Sequence, residues 1–206
     1  MNYVDFNGEQ VCPSKVVCVG RNYVEHIEEL NNELPDEPVI FIKPNSAISN
    51  ELLVDAKHSI HYEGELTFII YSEKIKGVGL GLDLTKRDVQ STLKSKGLPW
   101  ERAKSFDNSA VFSRFVKVHE NIETLAMELH INGNLVQLAT FDLMLNKPNQ
   151  LLAEVCSFLT LEDGDLLMTG TPKGVGRVNE GDIFVGKVIQ NGEILIEHRW
   201  LATKGI

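Results

Sequence analysis

Between Ile60 and Ile70 the chain reads Ile-His-Tyr-Glu-Gly-Glu-Leu-Thr-Phe-Ile-Ile, and this stretch limits the possible folds more than any other. Its second half is apolar, β-branched or aromatic, which predicts a strand over residues 66–70. Side chains alternate across a strand, so Glu63 and Glu65 share one face, their stems roughly 6 to 7 Å apart at a rise of about 3.3 Å per residue. Shielded from water, two carboxylates are costly without a compensating charge. A third carboxylate, Asp83, ends another apolar, glycine-punctuated run just ahead of a predicted helix start. Oxygen donors with no cysteine nearby select a hard divalent cation, Mg2+ first and then Mn2+ or Ca2+. The competing reading puts Glu63 and Glu65 on the solvated face of an edge strand, with Leu66, Phe68 and Ile70 turned inward.

The rest of the sequence sets bounds on this idea. Its 206 residues, 43% hydrophobic and 24% charged, suit one globular domain over 1–206 with a sizeable core. A formal net charge of -9 argues against nucleic acid or an anionic membrane as partner, since both demand basic patches. A small anionic ligand stays compatible if a metal and a few basic residues make a local positive pocket. Cys12, Cys18 and Cys156 show no C-x-x-C spacing, so neither a disulfide framework nor a zinc knuckle is indicated. No leader-like start and no apolar stretch of transmembrane length stands out, which makes the cytoplasm the expected compartment.

Along the chain, Lys15-Val16-Val17-Cys18-Val19-Gly20 predicts a strand, followed by a short helix from Asn22 to about Asn31 with a capping-box variant, Asn22 and Glu25. His26 and Glu29, three apart, share a face of that helix. A surface helix with a paired histidine is the plainer reading; a mobile acid/base lid is the functional one. Val39 to Ile42 predicts a strand ending at Lys43, whose charge is read as a strand-end feature. Thr85-Lys86-Arg87-Asp88 is expected to cap a helix that stops at Gly97, and residues 97–107 form a loop of aromatic and basic character. Its Lys104 is either solvent-exposed or a positive charge opposite the carboxylates. Asn132-Gly133 and Asn191-Gly192 each predict a β-hairpin, and residues 149–159 have helical spacing. The loop Gly170-Thr171-Pro172-Lys173-Gly174-Val175-Gly176 lacks the order of a nucleotide P-loop. Its backbone N–H groups and the Thr171 hydroxyl can approach a ligand oxygen, or the loop is a structural turn.

Taken together, Val19-Gly20-Arg21-Asn22-Tyr23, Phe41-Ile42-Lys43-Pro44, His61-Tyr62-Glu63-Gly64-Glu65-Leu66, Leu82-Asp83-Leu84-Thr85-Lys86-Arg87-Asp88, Lys96-Gly97-Leu98-Pro99-Trp100, Ala103-Lys104-Ser105-Phe106 and Thr169-Gly170-Thr171-Pro172-Lys173-Gly174-Val175-Gly176 resemble the fumarylacetoacetate hydrolase family. Its short single-domain members, of acylpyruvate hydrolase or oxaloacetate decarboxylase type, are the most similar. The resemblance implies an α+β, β-rich fold, a mixed rolled sheet with peripheral short helices, and a homodimer. It also implies Glu63, Glu65 and Asp83 as ligands of Mg2+ or Mn2+, His26 and Glu29 as the general-base pair, and Lys104 as the active-site lysine. Arg21, Gln90 and Thr171 are the candidates for substrate binding. Two departures stand out: the connection from Phe68 to Gly81 is short, and Val136 replaces the arginine that often precedes the glutamine at 137.

The expected function is metal-dependent hydrolysis of a carbon-carbon bond in a 2,4-dioxo acid, an acylpyruvate, through a metal-stabilised pyruvate enolate, with His26 and Glu29 activating water. Decarboxylation of oxaloacetate and keto-enol or dienoate isomerisation use the same enolate. A non-catalytic, metal-dependent dicarboxylate-binding module is the alternative of another class.

Overall fold

Three tight turns organise the strands. In a computed structural model that describes residues 1–30, 33–55, 57–118 and 121–205, Gly64–Tyr71 and Lys74–Asp83 pair as a hairpin through Ser72 and Glu73. Both turn residues have positive φ, 49° and 55°, as a two-residue primed turn requires. This turn is the short connection noted in the sequence, and it lies at the opposite end of the hairpin from Glu63 and Asp83. The Asn132-Gly133 turn joins Leu125–Ile131 to Asn134–Thr140, and Asn191-Gly192 joins Ile183–Gln190 to Glu193–Lys204, as expected.

The larger sheet runs in the order Val39–Pro44, Lys15–Gly20, Leu166–Met168, Gly64–Tyr71, Lys74–Asp83, Ala110–Phe112, Ile48–Ser49, with Val116–Lys117 also on Lys74–Asp83. It is mixed: Leu166–Met168 is parallel to Lys15–Gly20, and Ala110–Phe112 to Ile48–Ser49. A second, five-stranded sheet contains the two Asn-Gly hairpins and Leu52–Val54, and a small one joins Thr85–Lys86, Ile60–Tyr62 and Gly176–Arg177. The fold is α+β and β-rich, a rolled mixed sheet with short peripheral helices.

Both faces of Gly64–Tyr71 are covered. Leu66, Phe68 and Ile70 enter the main core with Val78, Leu80, Leu82, Met127, Leu129, Val188 and Trp200. Ile69 joins a second cluster with Val16, Cys18, Phe112, Phe115 and Met168. The edge-strand reading of Glu63 and Glu65 is therefore excluded; the strand has no solvated face there. Glycine punctuation in Lys74–Asp83 has a packing cause. A Cβ on Gly79 would come within 2.8 Å of the Phe115 ring, and one on Gly81 within 2.6 Å of Thr67 Oγ1 and 2.8 Å of Phe112. Aromatic rings press on that face, and Asp83 continues the same row.

Helices α1 (Val24–Glu29), α2 (Arg87–Ser95), α3 (Glu101–Lys104) and α4 (Pro148–Phe158) flank the sheets. Three local expectations need correction. Asn22 does not cap α1, whose N-cap is Tyr23 without a side-chain bond; its amide is drawn instead into bonds with Asn146 and Thr169. The expected end at Asn31 lies outside the described residues. Thr85 and Lys86 pair as a strand, so α2 starts at Arg87 with no side-chain cap. The 97–107 segment is not all loop, since α3 forms within it and carries Lys104. No described helix is long and apolar enough to cross a membrane.

Candidate functional site

Strand register brings the three carboxylates together. Glu65 pairs with Gly81, and the Asp83 N–H donates to the Glu63 carbonyl at 2.8 Å, so Glu63, Glu65 and Asp83 project from adjacent positions on one face. One oxygen from each carboxylate lies within 4.8 Å of the others, and all three residues are buried.

Cations surround them. Lys104 Nζ donates to Glu63 Oε2 and Asp83 Oδ2, each at 2.7 Å, so its solvent-exposed alternative is excluded. Lys43 is no strand-end charge: it is wholly buried, 2.8 Å from Asp83 Oδ1, and donates to Ser109 Oγ and to the Leu84 and Lys104 carbonyls. Arg87 donates through Nη2 to Glu63 Oε1 at 2.5 Å and through Nη1 to Gln90 Oε1 at 2.7 Å. Sequence reasoning missed Lys43 and Arg87 as members of this cluster. A lysine at the end of an apolar strand, where only carboxylates can compensate its burial, was the available signal for the first.

The charges do not divide evenly. Burial opposes ionisation of Glu63, but Lys104, Arg87 and His26 outweigh it and hold its carboxyl well below the usual range. Glu65 goes the other way: burial, then Asp83 and Glu63, push its carboxyl well up, against Lys104 and the Gly170 N–H. Burial also works against the Lys104 ammonium, but Asp83 and Glu63 hold its pKa above that of an ordinary lysine.

The glycine loop closes one side. Gly170 has φ 92° and a Cβ there would meet Asn22 at 2.9 Å and the Val19 carbonyl at 3.0 Å, so only glycine lets its N–H reach Glu65 Oε2 at 2.7 Å. Thr171 donates to the Gly64 carbonyl and accepts from Gln137 Nε2. Gln137, noted in the sequence only as the neighbour of Val136, accepts from the Gly64 N–H and donates to the Pro172 carbonyl, fastening loop to strand.

Helix α1 faces this loop. His26, buried, is 3.1 Å from Glu29 Oε2 through Nδ1, while Glu29 Oε1 accepts from the Gly174 N–H at 3.0 Å. His26 is close enough to Glu63 to contribute to its electrostatics. Arg21, with φ 57°, stands at the turn from Lys15–Gly20 into α1 and donates to the Glu33 carbonyl.

Does this donor set suit a divalent cation? All candidate ligand atoms are carboxylate oxygens, as a hard ion prefers. Asp83 Oδ1, though paired in charge with Lys43, receives no directed hydrogen bond from the described residues. Lone pairs are available, and the residues fit the ion.

Comparison with known proteins agrees with this architecture. Residues 15–196 match the fumarylacetoacetate (FAA) hydrolase C-terminal family. An oxaloacetate tautomerase of Escherichia coli (strain K12) is 41% identical over 82% of this chain and 85% of its own length. A mitochondrial oxaloacetate tautomerase of Schizosaccharomyces pombe is 37% identical over 88% and 92%. Among solved structures, that of a fumarylpyruvate hydrolase from Pseudomonas aeruginosa in complex with Mn2+ and pyruvate superposes with a TM-score of 0.88 at 28% identity, over 99% of this chain and 96% of that one. The chain belongs to the fumarylacetoacetate hydrolase family.

Proposed function

We propose that the protein interconverts the keto and enol forms of a 2-oxo dicarboxylate of the oxaloacetate type, using a divalent cation, Mg2+ or Mn2+, held by Glu63, Glu65 and Asp83. The observation that carries this reading is the buried His26, tied to Glu29 and facing the charge of Glu63. The two oxaloacetate tautomerases at 37% and 41% identity support the choice of substrate.

When bound, the cation polarises the 2-oxo group and acidifies the adjacent C–H. His26 donates its Nδ1–H to Glu29, which leaves Nε2 to take the proton from C3 and return it to the 2-oxo oxygen. That transfer needs no water and changes no carbon-carbon bond. Lys104 keeps a fixed positive charge beside the oxygen where negative charge develops. Arg21 and Gln90 orient the substrate, and Thr171 holds the glycine loop against it. A homodimer is part of the same proposal, and a mass measurement by light scattering tests it.

Hydrolysis of a carbon-carbon bond in an acylpyruvate is the second reading, favoured by the fumarylpyruvate hydrolase neighbour. There His26 takes its proton from water instead. One assay separates the chemistries: enol absorbance and pyruvate release are followed on oxaloacetate and on acetylpyruvate, with Mg2+ or Mn2+ and with neither. Metal-dependent loss of the oxaloacetate enol without pyruvate supports tautomerisation. Pyruvate from acetylpyruvate supports hydrolysis, and pyruvate from oxaloacetate supports decarboxylation. Metal binding with no reaction on either substrate moves the dicarboxylate-binding module ahead of these readings.

A further inference from the structure

A helix, a strand and the glycine loop meet at Gly174. Its N–H donates to Glu29 Oε1 at 3.0 Å, and its carbonyl accepts from the Tyr62 hydroxyl at 2.9 Å. The residue has φ 98°, and a Cβ there would lie 2.0 Å from the Val136 carbonyl oxygen, so the chain passes this point in a conformation that requires glycine. Gln137 fastens the loop at Thr171 and Pro172. Tyr62 fastens it two residues further on, where it meets α1. The phenol ring is itself well held: Tyr62 pairs with Gly176, and its buried ring packs edge-on against Phe184 with 5.2 Å between centroids.

These contacts reach the base. Helix α1 has six residues and no side-chain cap, too few to hold its own side chains rigidly. Glu29 is therefore oriented from outside. With Oε1 on the Gly174 N–H, Oε2 is the oxygen that faces His26 Nδ1 at 3.1 Å. An acceptor fixed at Nδ1 keeps the proton on that nitrogen and leaves Nε2 as the base. Tyr62 directly precedes Glu63 in the chain. One short stretch thus presents a carboxylate of the cluster on one side and, through Gly174 and Glu29, orients His26 on the other.

We propose that Tyr62 is a positioning residue for proton transfer: by holding Gly174 it orients Glu29, and so fixes the tautomer and direction of His26 relative to the three carboxylates. This rests on the reading given above, in which His26 moves the proton. Tyr62 itself touches neither substrate nor cation; it acts only through the loop and Glu29.

The test compares the wild type, Y62F, E29A and the double variant on oxaloacetate at saturating Mn2+. Y62F keeps the ring on Phe184 and removes one hydroxyl. Its kcat should fall about ten-fold, the size expected for one lost hydrogen bond, with KM and Mn2+ affinity within about two-fold of the wild type. On the E29A background the same substitution should lower kcat by less than about two-fold, because a residue that acts through Glu29 has nothing left to orient. An equal loss on both backgrounds, or an unchanged kcat in Y62F, overturns the proposal. NMR of isotope-labelled protein with Mg2+ reads the same contacts without turnover. A His26 Nδ1–H signal and slow exchange of the Gly174 amide are expected in the wild type, and both should weaken in Y62F. A wild type inert toward oxaloacetate refutes the tautomerase reading alone; the role of Tyr62 then stands if Y62F weakens both signals and falls if either is unchanged.

Discussion

The Lys43 ammonium lies 2.8 Å from Oδ1 of Asp83, with both side chains sealed from solvent. Neither charge is stable there alone, since removing one member of a buried pair leaves the other uncompensated. Lys104 still reaches Asp83 through Oδ2, so the lower end of the usual range applies. K43M is expected to lose about 3 kcal/mol of stability, a fall in Tm of roughly 10 °C for a chain of this size. Thermal unfolding with and without Mn2+ measures it. A variant as stable as the wild type would mean that Lys104 alone suffices to compensate Asp83.

Glu65 predicts how metal affinity depends on pH. Its carboxyl is pushed up by burial and by Asp83 and Glu63, so below that raised pKa a cation must displace a proton. Apparent affinity should therefore rise with pH, by up to about ten-fold per unit for one proton. The stability of the metal-free protein runs in the opposite sense. The raised pKa favours folding at low pH, and this contribution disappears as pH climbs from the ordinary glutamate range through the folded value. Thermal shifts on adding Mn2+ should accordingly grow as pH rises through the range in which Glu65 loses its proton, and calorimetry in buffers of different ionisation heat should detect the released proton. A shift independent of pH would place the proton elsewhere.

His26→Ala separates chemistry from metal binding. Losing a positioned general acid/base lowers turnover by about 10²- to 10⁴-fold. Metal affinity should change little, because His26 is not among the clustered ligands. Glu29→Gln should have a smaller effect on kcat while weakening the contact with the Gly174 N–H. Single-turnover rates alongside Mn2+ titrations check both, and a His26→Ala enzyme with full kcat would remove the proposed proton route.

Asn22 stabilises the site from behind. It donates to the Asn146 and Thr169 carbonyls, at 3.0 and 2.8 Å, and accepts from the Asn146 N–H at 2.8 Å. Asn22→Ala leaves these partly or wholly buried groups without partners, at a cost of about 3 kcal/mol in all. Because Thr169 leads directly into Gly170, which holds Glu65, metal affinity should also fall. Denaturant unfolding and Mn2+ titration test the pair of effects; a loss of stability without loss of affinity would uncouple the loop from the cluster.

Much of the frame was legible because it depends on local chemistry. Asn-Gly pairs impose their hairpins wherever alternating strands flank them, and alternation alone put Glu63 and Glu65 on one side. What spacing could not show was register. Asp83 joins the two glutamates because Gly81 stands opposite Glu65, a fact of pairing between strands. Lys43 was misread for a related reason: strand-end position says nothing of burial, which is set here by Leu84, Lys104 and Ser109 from distant segments. Asn22 shows the opposite error. A plausible local cap was overridden by partners more than a hundred residues away.

The parallel pairing of Leu166–Met168 with Lys15–Gly20 has a kinetic consequence. Asp165 bonds to Lys15 across 150 positions, so a growing chain cannot complete its larger sheet until four-fifths of it has been synthesised. Contacts this distant are slow to close. Until they form, the acidic side chains stand in water beside an open strand edge, where three negative charges are cheap to keep. The bond from the Gly170 N–H to Glu65 also waits for this strand, which leads into the glycine loop. A cation that binds only the finished arrangement should thus leave the rate of folding nearly unchanged and act mainly by slowing unfolding.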